Sequence, residues 1–110
     1  MKLPNYESAL IDREKLEKYC LNPEHPEGQH KARVFKSVLD IDLNNLDILI
    51  EAFMKGIAQN DAIYTGKNAY GEKYIVDFRM NNQHKYAMVR TAWIIEYSTQ
   101  LPRLVTCYVL

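Results

Sequence analysis

Hydrophobic periodicity changes character at Asn60-Asp61, and this change constrains the fold more than any other feature of the chain. Upstream, apolar residues recur at helical spacing; downstream they alternate, and β-branched and aromatic residues replace the leucines. The clearest helix precedes the switch, where Leu46, Leu49, Ile50, Phe53 and Ile57 fall on one stripe. A second helix is expected from Gln29 to Leu39. A shorter first helix is expected from Arg13 to Cys20, with Asp12 as its cap and Leu21-Asn22-Pro23 as its stop. Asn22 to Gly28, with two prolines and a glycine, reads as an ordered turn into the second helix.

Past the switch, Ala62 to Thr65 and Lys73 to Met80 flank Gly66 to Gly71 as a hairpin. Tyr86 to Glu96 makes a long third strand, and Ser98 to Pro102 turns the chain into a fourth, Arg103 to Val109. Helices followed by strands predict an α+β fold, with three N-terminal helices packed on a four-stranded antiparallel β-sheet. The whole chain, 1–110, is expected to form a single domain, helical over 12–59 and sheet over 62–110. Its core should combine Leu46, Leu49, Ile50, Phe53, Val76 or Ile75, Trp93 and Val105. Alternation sets Thr91, Trp93 and Ile95 with Val105, Cys107 and Val109 over that core. Arg90, Glu96, Leu104, Thr106 and Tyr108 then share the opposite face, provided neither strand carries a bulge.

Composition narrows the function classes. Apolar residues at 47% and charged ones at 25% are a globular balance, which excludes disordered and fibrous readings. Fourteen Lys plus Arg against fourteen Asp plus Glu leave no net charge, so any site for nucleic acid must be local. Met1 to Asn5 carries no apolar run and no stretch is long enough to span a bilayer, so a cytoplasmic location without membrane attachment is expected. Cys20 and Cys107 fit no paired zinc or redox spacing and are expected to be reduced. Cys20, His25 and His30 also match no zinc signature, so no metal or cofactor is expected. Gly66-Lys67 fails as a phosphate loop because Asp61 and Asn68 stand where that motif needs glycine and a hydroxyl residue. No G-x-S-x-G elbow is present.

Two groups of residues invite chemistry. Lys31 falls between Val38 and Phe35 on the apolar face of the second helix, in the first turn, where the helix dipole disfavours a cation. With His30 and free N–H groups at the helix start, it would suit a phosphate or carboxylate; otherwise its stem covers the core and its ammonium reaches water. Arg90, Thr106 and Tyr108 form the second group. An arginine fork, a hydroxyl and a phenol suit a nucleotide, and the same residue types are also common on a half-exposed sheet face.

Several segments carry a resemblance: Tyr19-Cys20-Leu21-Asn22-Pro23-Glu24-His25-Pro26, Gly28-Gln29-His30-Lys31-Ala32-Arg33-Val34-Phe35, Val89-Arg90-Thr91-Ala92-Trp93 and Pro102-Arg103-Leu104-Val105-Thr106-Cys107-Tyr108. Together with Leu3-Pro4-Asn5 and Tyr70-Gly71-Glu72-Lys73-Tyr74, they resemble the signature of a bacterial domain family of unknown function. That family is found alone or at the end of longer proteins, some of them associated with toxin systems. It usually has Leu where Cys20 stands, which argues against a required thiol. More distantly, the layout is similar to small ribonuclease toxins of the RelE and colicin type. The resemblance implies RNA as a partner, bound or cleaved without metal. Such cleavage needs a base for the 2′-hydroxyl, an acid for the leaving oxygen and cations for the phosphate, and His30, Lys31, Arg90, Thr106 and Tyr108 are the candidate catalytic residues. The competing class is a protein-interaction module, an antitoxin, immunity or adaptor protein, bound to the product of a neighbouring gene.

Overall fold

The computed structural model describes every residue from Met1 to Leu110. Its order of elements corrects the expectation of three N-terminal helices packed on a sheet. The chain opens with a 3₁₀ turn at Tyr6–Ser8, and Leu10 then lies parallel to Arg103 beside the last strand. The expected first helix is only a three-residue turn, α1 (Arg13–Lys15), continued by a π turn at Leu16–Cys20. Asp12 does cap it, accepting the Glu14 N–H at 2.9 Å. So short a segment gains little from helical hydrogen bonding, and it is held instead by burying Leu16 and Cys20. Two longer helices occupy the middle of the chain, α2 (Gln29–Leu39) and α3 (Leu46–Gln59).

The C-terminal half is an antiparallel meander of β1 (Ala62–Lys67), β2 (Gly71–Asn82), β3 (Lys85–Glu96) and β4 (Pro102–Val109), paired in chain order. Phe35 and Leu39 of α2, Leu49 and Phe53 of α3, Val76 and Phe78 of β2, and Trp93 of β3 share one buried cluster. Phe53 meets Phe78 edge-on, with ring centroids 5.9 Å apart. Trp93 donates its indole N–H to Thr91 Oγ1 at 2.8 Å, and that hydroxyl donates to the Val76 carbonyl at 2.8 Å. The buried polar groups are thereby satisfied, as a core requires. No helix is long and apolar enough to cross a membrane.

One irregularity matters for the site. Ala92 faces Thr106 but Trp93 faces Leu104, so Val105 is an extra residue in β4. Side-chain parity inverts across it. Leu104 turns into the core and Val105 turns out, 38% exposed, the reverse of the alternation expected without a bulge. Thr106 and Tyr108 keep the face they share with Arg90, which pairs directly with Tyr108. The Leu110 N–H reaches Met88 O, so by alternation the N–H groups of Cys107 and Val109 point away from β3, along the edge that α2 approaches.

Candidate functional site

The turn before α2 is built by His25. Its Nδ1 accepts the N–H groups of Glu27 and Gly28 at 3.1 and 3.0 Å, and its carbonyl accepts the Gln29 N–H at 2.9 Å. Part of the donor set expected to be free for an anion is therefore used by His25. The same ring packs edge-on against Tyr19 at 4.7 Å. Only glycine fits at position 28, because a Cβ there would lie 1.8 Å from the Tyr19 carbonyl oxygen.

Half-buried Lys31 then crosses to the edge of β4. Its ammonium donates to Thr106 Oγ1 at 2.9 Å and stands 5.5 Å from the centre of the Tyr108 ring, within cation–π range. Tyr108 in turn is the cross-strand partner of Arg90. Arg90 uses Nε and Nη2 to grip both carboxylate oxygens of Asp77, each at 2.9 Å. Asp77, followed by Tyr108, holds the guanidinium above its ordinary pKa. His30 is exposed and lines a shallow hollow of about 300 Å³ with Lys31, Val34, Tyr108 and Val109. The start of α2 and the outer face of the sheet thus meet, and the five residues singled out in the sequence fall around one edge.

A second hollow of about 180 Å³ also borders Lys31, lined by Tyr19, Cys20, His25, Gly28 and Thr106 among others. Sequence reasoning passed over Asp77, and weighed Cys20 only as a metal ligand or a required thiol. Asp77 is opposite Arg90 in the β2–β3 register, a pairing visible only once the register is known. No three His, Cys, Asp or Glu side chains are grouped to hold a metal ion. By alternation Lys73, Arg79, Arg90 and Arg103 share the outer face of the sheet, but three of these cations are already engaged. Arg103 is bound to Glu96 at 2.8 Å, Arg79 lies over the Tyr86 ring at 4.0 Å, and Arg90 is committed to Asp77.

A family model described as a domain of unknown function (DUF6883) matches residues 2–110. The chain belongs to this family. None of the curated proteins compared with it matches. A chain of similar fold occurs in a solved structure described as a contact-dependent growth inhibition toxin–immunity protein complex from Klebsiella pneumoniae 342. The TM-score is 0.73 at 14% identity, over 92% of this chain and 99% of that one. At that identity the likeness is one of fold.

Proposed function

We propose that this family member is a toxin-like domain that binds RNA and cleaves it without metal at the edge of β4. The observation that carries the reading is the convergence of Lys31, Thr106 and Tyr108, with Arg90 behind Tyr108 and His30 at the rim. In this reading the scissile phosphate lies over the hollow between His30 and Tyr108. Lys31 neutralises its charge, with Thr106 Oγ1 holding the ammonium in place. His30 takes the proton of the 2′-hydroxyl, the 2′-oxygen attacks phosphorus, and the 5′-oxygen leaves with a proton from Tyr108. Arg90, oriented by Asp77, supports the phenol as it gives up that proton. The products are a 2′,3′-cyclic phosphate and a free 5′-hydroxyl.

A second reading has its own support. The chain of similar fold comes from a complex of a toxin with its immunity protein, and Arg90 and Arg103 already carry carboxylate partners, which suits a protein-binding surface. Incubating the purified chain with total RNA in chelator separates the two. Cleavage leaving cyclic phosphate ends, slowed by about 10² to 10⁴ in His30→Ala and Arg90→Ala, is the expected result. Neither cleavage nor salt-sensitive binding would overturn the RNA reading in favour of a protein partner, detectable as a stable complex with the product of a neighbouring gene.

A further inference from the structure

Cys20 and Cys107 are both free thiols, 4% and 0% exposed, and belong to the same buried cluster. Buried cysteines are ordinarily inert, small apolar residues. This pair differs in its surroundings. Cys20 closes the π turn where that turn packs on β4, and it lines one hollow with Thr106, the chain neighbour of Cys107. Lys31 Nζ is one hydrogen bond further, on Thr106 Oγ1 at 2.9 Å. The hollow is the one of about 180 Å³ beside Lys31, which Cys107 does not line. Cys20 thus borders a hollow that Lys31 also lines, and Cys107 lies fully buried.

The electrostatics agree with the geometry. The Cys107 thiol, its backbone N–H, the Thr106 hydroxyl and the Lys31 charge outweigh burial and draw Cys20 down to about 6 from 9.0. Cys107 moves the opposite way, because it donates to Cys20 and is desolvated. Of the two sulfurs, Cys20 is the one whose surroundings favour the thiolate.

We propose that Cys20 is a modification site for hydroperoxides and that Cys107 resolves the product to an intramolecular disulfide. The Cys20 thiolate attacks the near oxygen of the peroxide, the O–O bond breaks, and the departing alkoxide or hydroxide takes a proton to leave as alcohol or water. Cys20 is left as the sulfenic acid. The Cys107 sulfur then attacks the Cys20 sulfur, the S–O bond breaks, and hydroxide leaves as water with the Cys107 proton. Two thiols supply two electrons, and the peroxide accepts both. The bridge would tie the π turn to β4 and remove the anion that Lys31 faces through Thr106. This proposal stands apart from the RNA reading.

The test is peroxide titration of the reduced, native full chain, followed by thiol counting, non-reducing peptide mapping and electrophoresis. Both thiols should disappear together, a Cys20–Cys107 cross-linked peptide should form within a monomer, and dithiothreitol should reverse it. Cys107→Ser should stop at a sulfenic acid on Cys20 that dimedone traps, and Cys20→Ser should leave Cys107 reduced. Native iodoacetamide labelling covers the case of a variant that does not fold: Cys20 should label well before Cys107. Thiols that resist peroxide in the native chain yet oxidise in urea, an inter-chain bridge, or Cys107 labelling first would overturn the proposal.

Discussion

The Lys31 ammonium donates a 2.9 Å hydrogen bond to Thr106 Oγ1 across 75 residues of sequence, joining the first turn of α2 to β4. Lys31 also lines a shallow hollow with Val34, Tyr108 and Val109. Lys31→Met preserves the stem and deletes the donor, so the expected loss of stability is about 0.5 to 1.5 kcal/mol, the net worth of a typical hydrogen bond. Urea unfolding checks this; an unchanged midpoint would mean that the bond orients the side chain without stabilising the fold.

Thr91 is the hinge of the buried polar chain from Trp93 to the Val76 carbonyl. Thr91→Val conserves shape and strands the indole N–H in the core. A cost of about 1 to 3 kcal/mol follows from leaving a buried donor unpaired. Trp93 is the only tryptophan, so its fluorescence during urea unfolding reports the loss directly. A native midpoint would show that another acceptor takes the indole.

Gly28→Ala places a methyl 1.8 Å from the Tyr19 carbonyl oxygen, which is backbone and cannot rotate away. Overpacking of this kind costs about 1 to 3 kcal/mol. The His25 turn should loosen as well, seen as faster hydrogen exchange at the Glu27 amide. Unchanged exchange and stability would contradict the close packing of this turn on Tyr19.

How much of this was legible beforehand depended on where long-range pairing enters. The stripe on α3 and the alternation in β2 and β3 are local patterns, readable because one face of each is buried. The segment from Arg13 to Cys20 failed because a cap and two buried residues do not suffice for a helix of that length. Val105 failed because a bulge shifts parity by one without a glycine or other turn residue to announce it. Lys31 was conspicuous as a cation on an apolar face, but its partner, Thr106, is set by tertiary packing. Cys20 looked dispensable because the resembled family usually has Leu there, and only its place in the fold, in one buried cluster with Cys107 and beside Thr106, gives it chemistry.

Tyr64 donates its hydroxyl to Glu72 at 2.6 Å, and that bond, with desolvation and the Glu72 charge behind it, raises its pKa from 10.0 to about 12. The fold favours the neutral phenol. Its contribution to stability is therefore present below pH 10 and lost as pH rises toward 12. Subtracting the phenolate absorbance titration of Tyr64→Phe from that of the native chain should isolate a midpoint near 12, which Glu72→Gln moves down. A difference midpoint at the ordinary tyrosine value would show that the Glu72 bond does not persist in solution.

The central claim is that Lys31 and Thr106 act as one unit on RNA, and a double-mutant cycle on the cleavage rate tests it most directly. Lys31→Met and Thr106→Val, each shown to be folded, should slow single-turnover cleavage of total RNA in chelator by about 10² to 10³, the effect of removing one group that stabilises developing charge. Because each substitution disables the same ammonium, the double variant should be about as slow as the slower single one. An intact chain that cleaves no RNA, single variants that cleave at the native rate, or losses that multiply in the double variant would contradict the account.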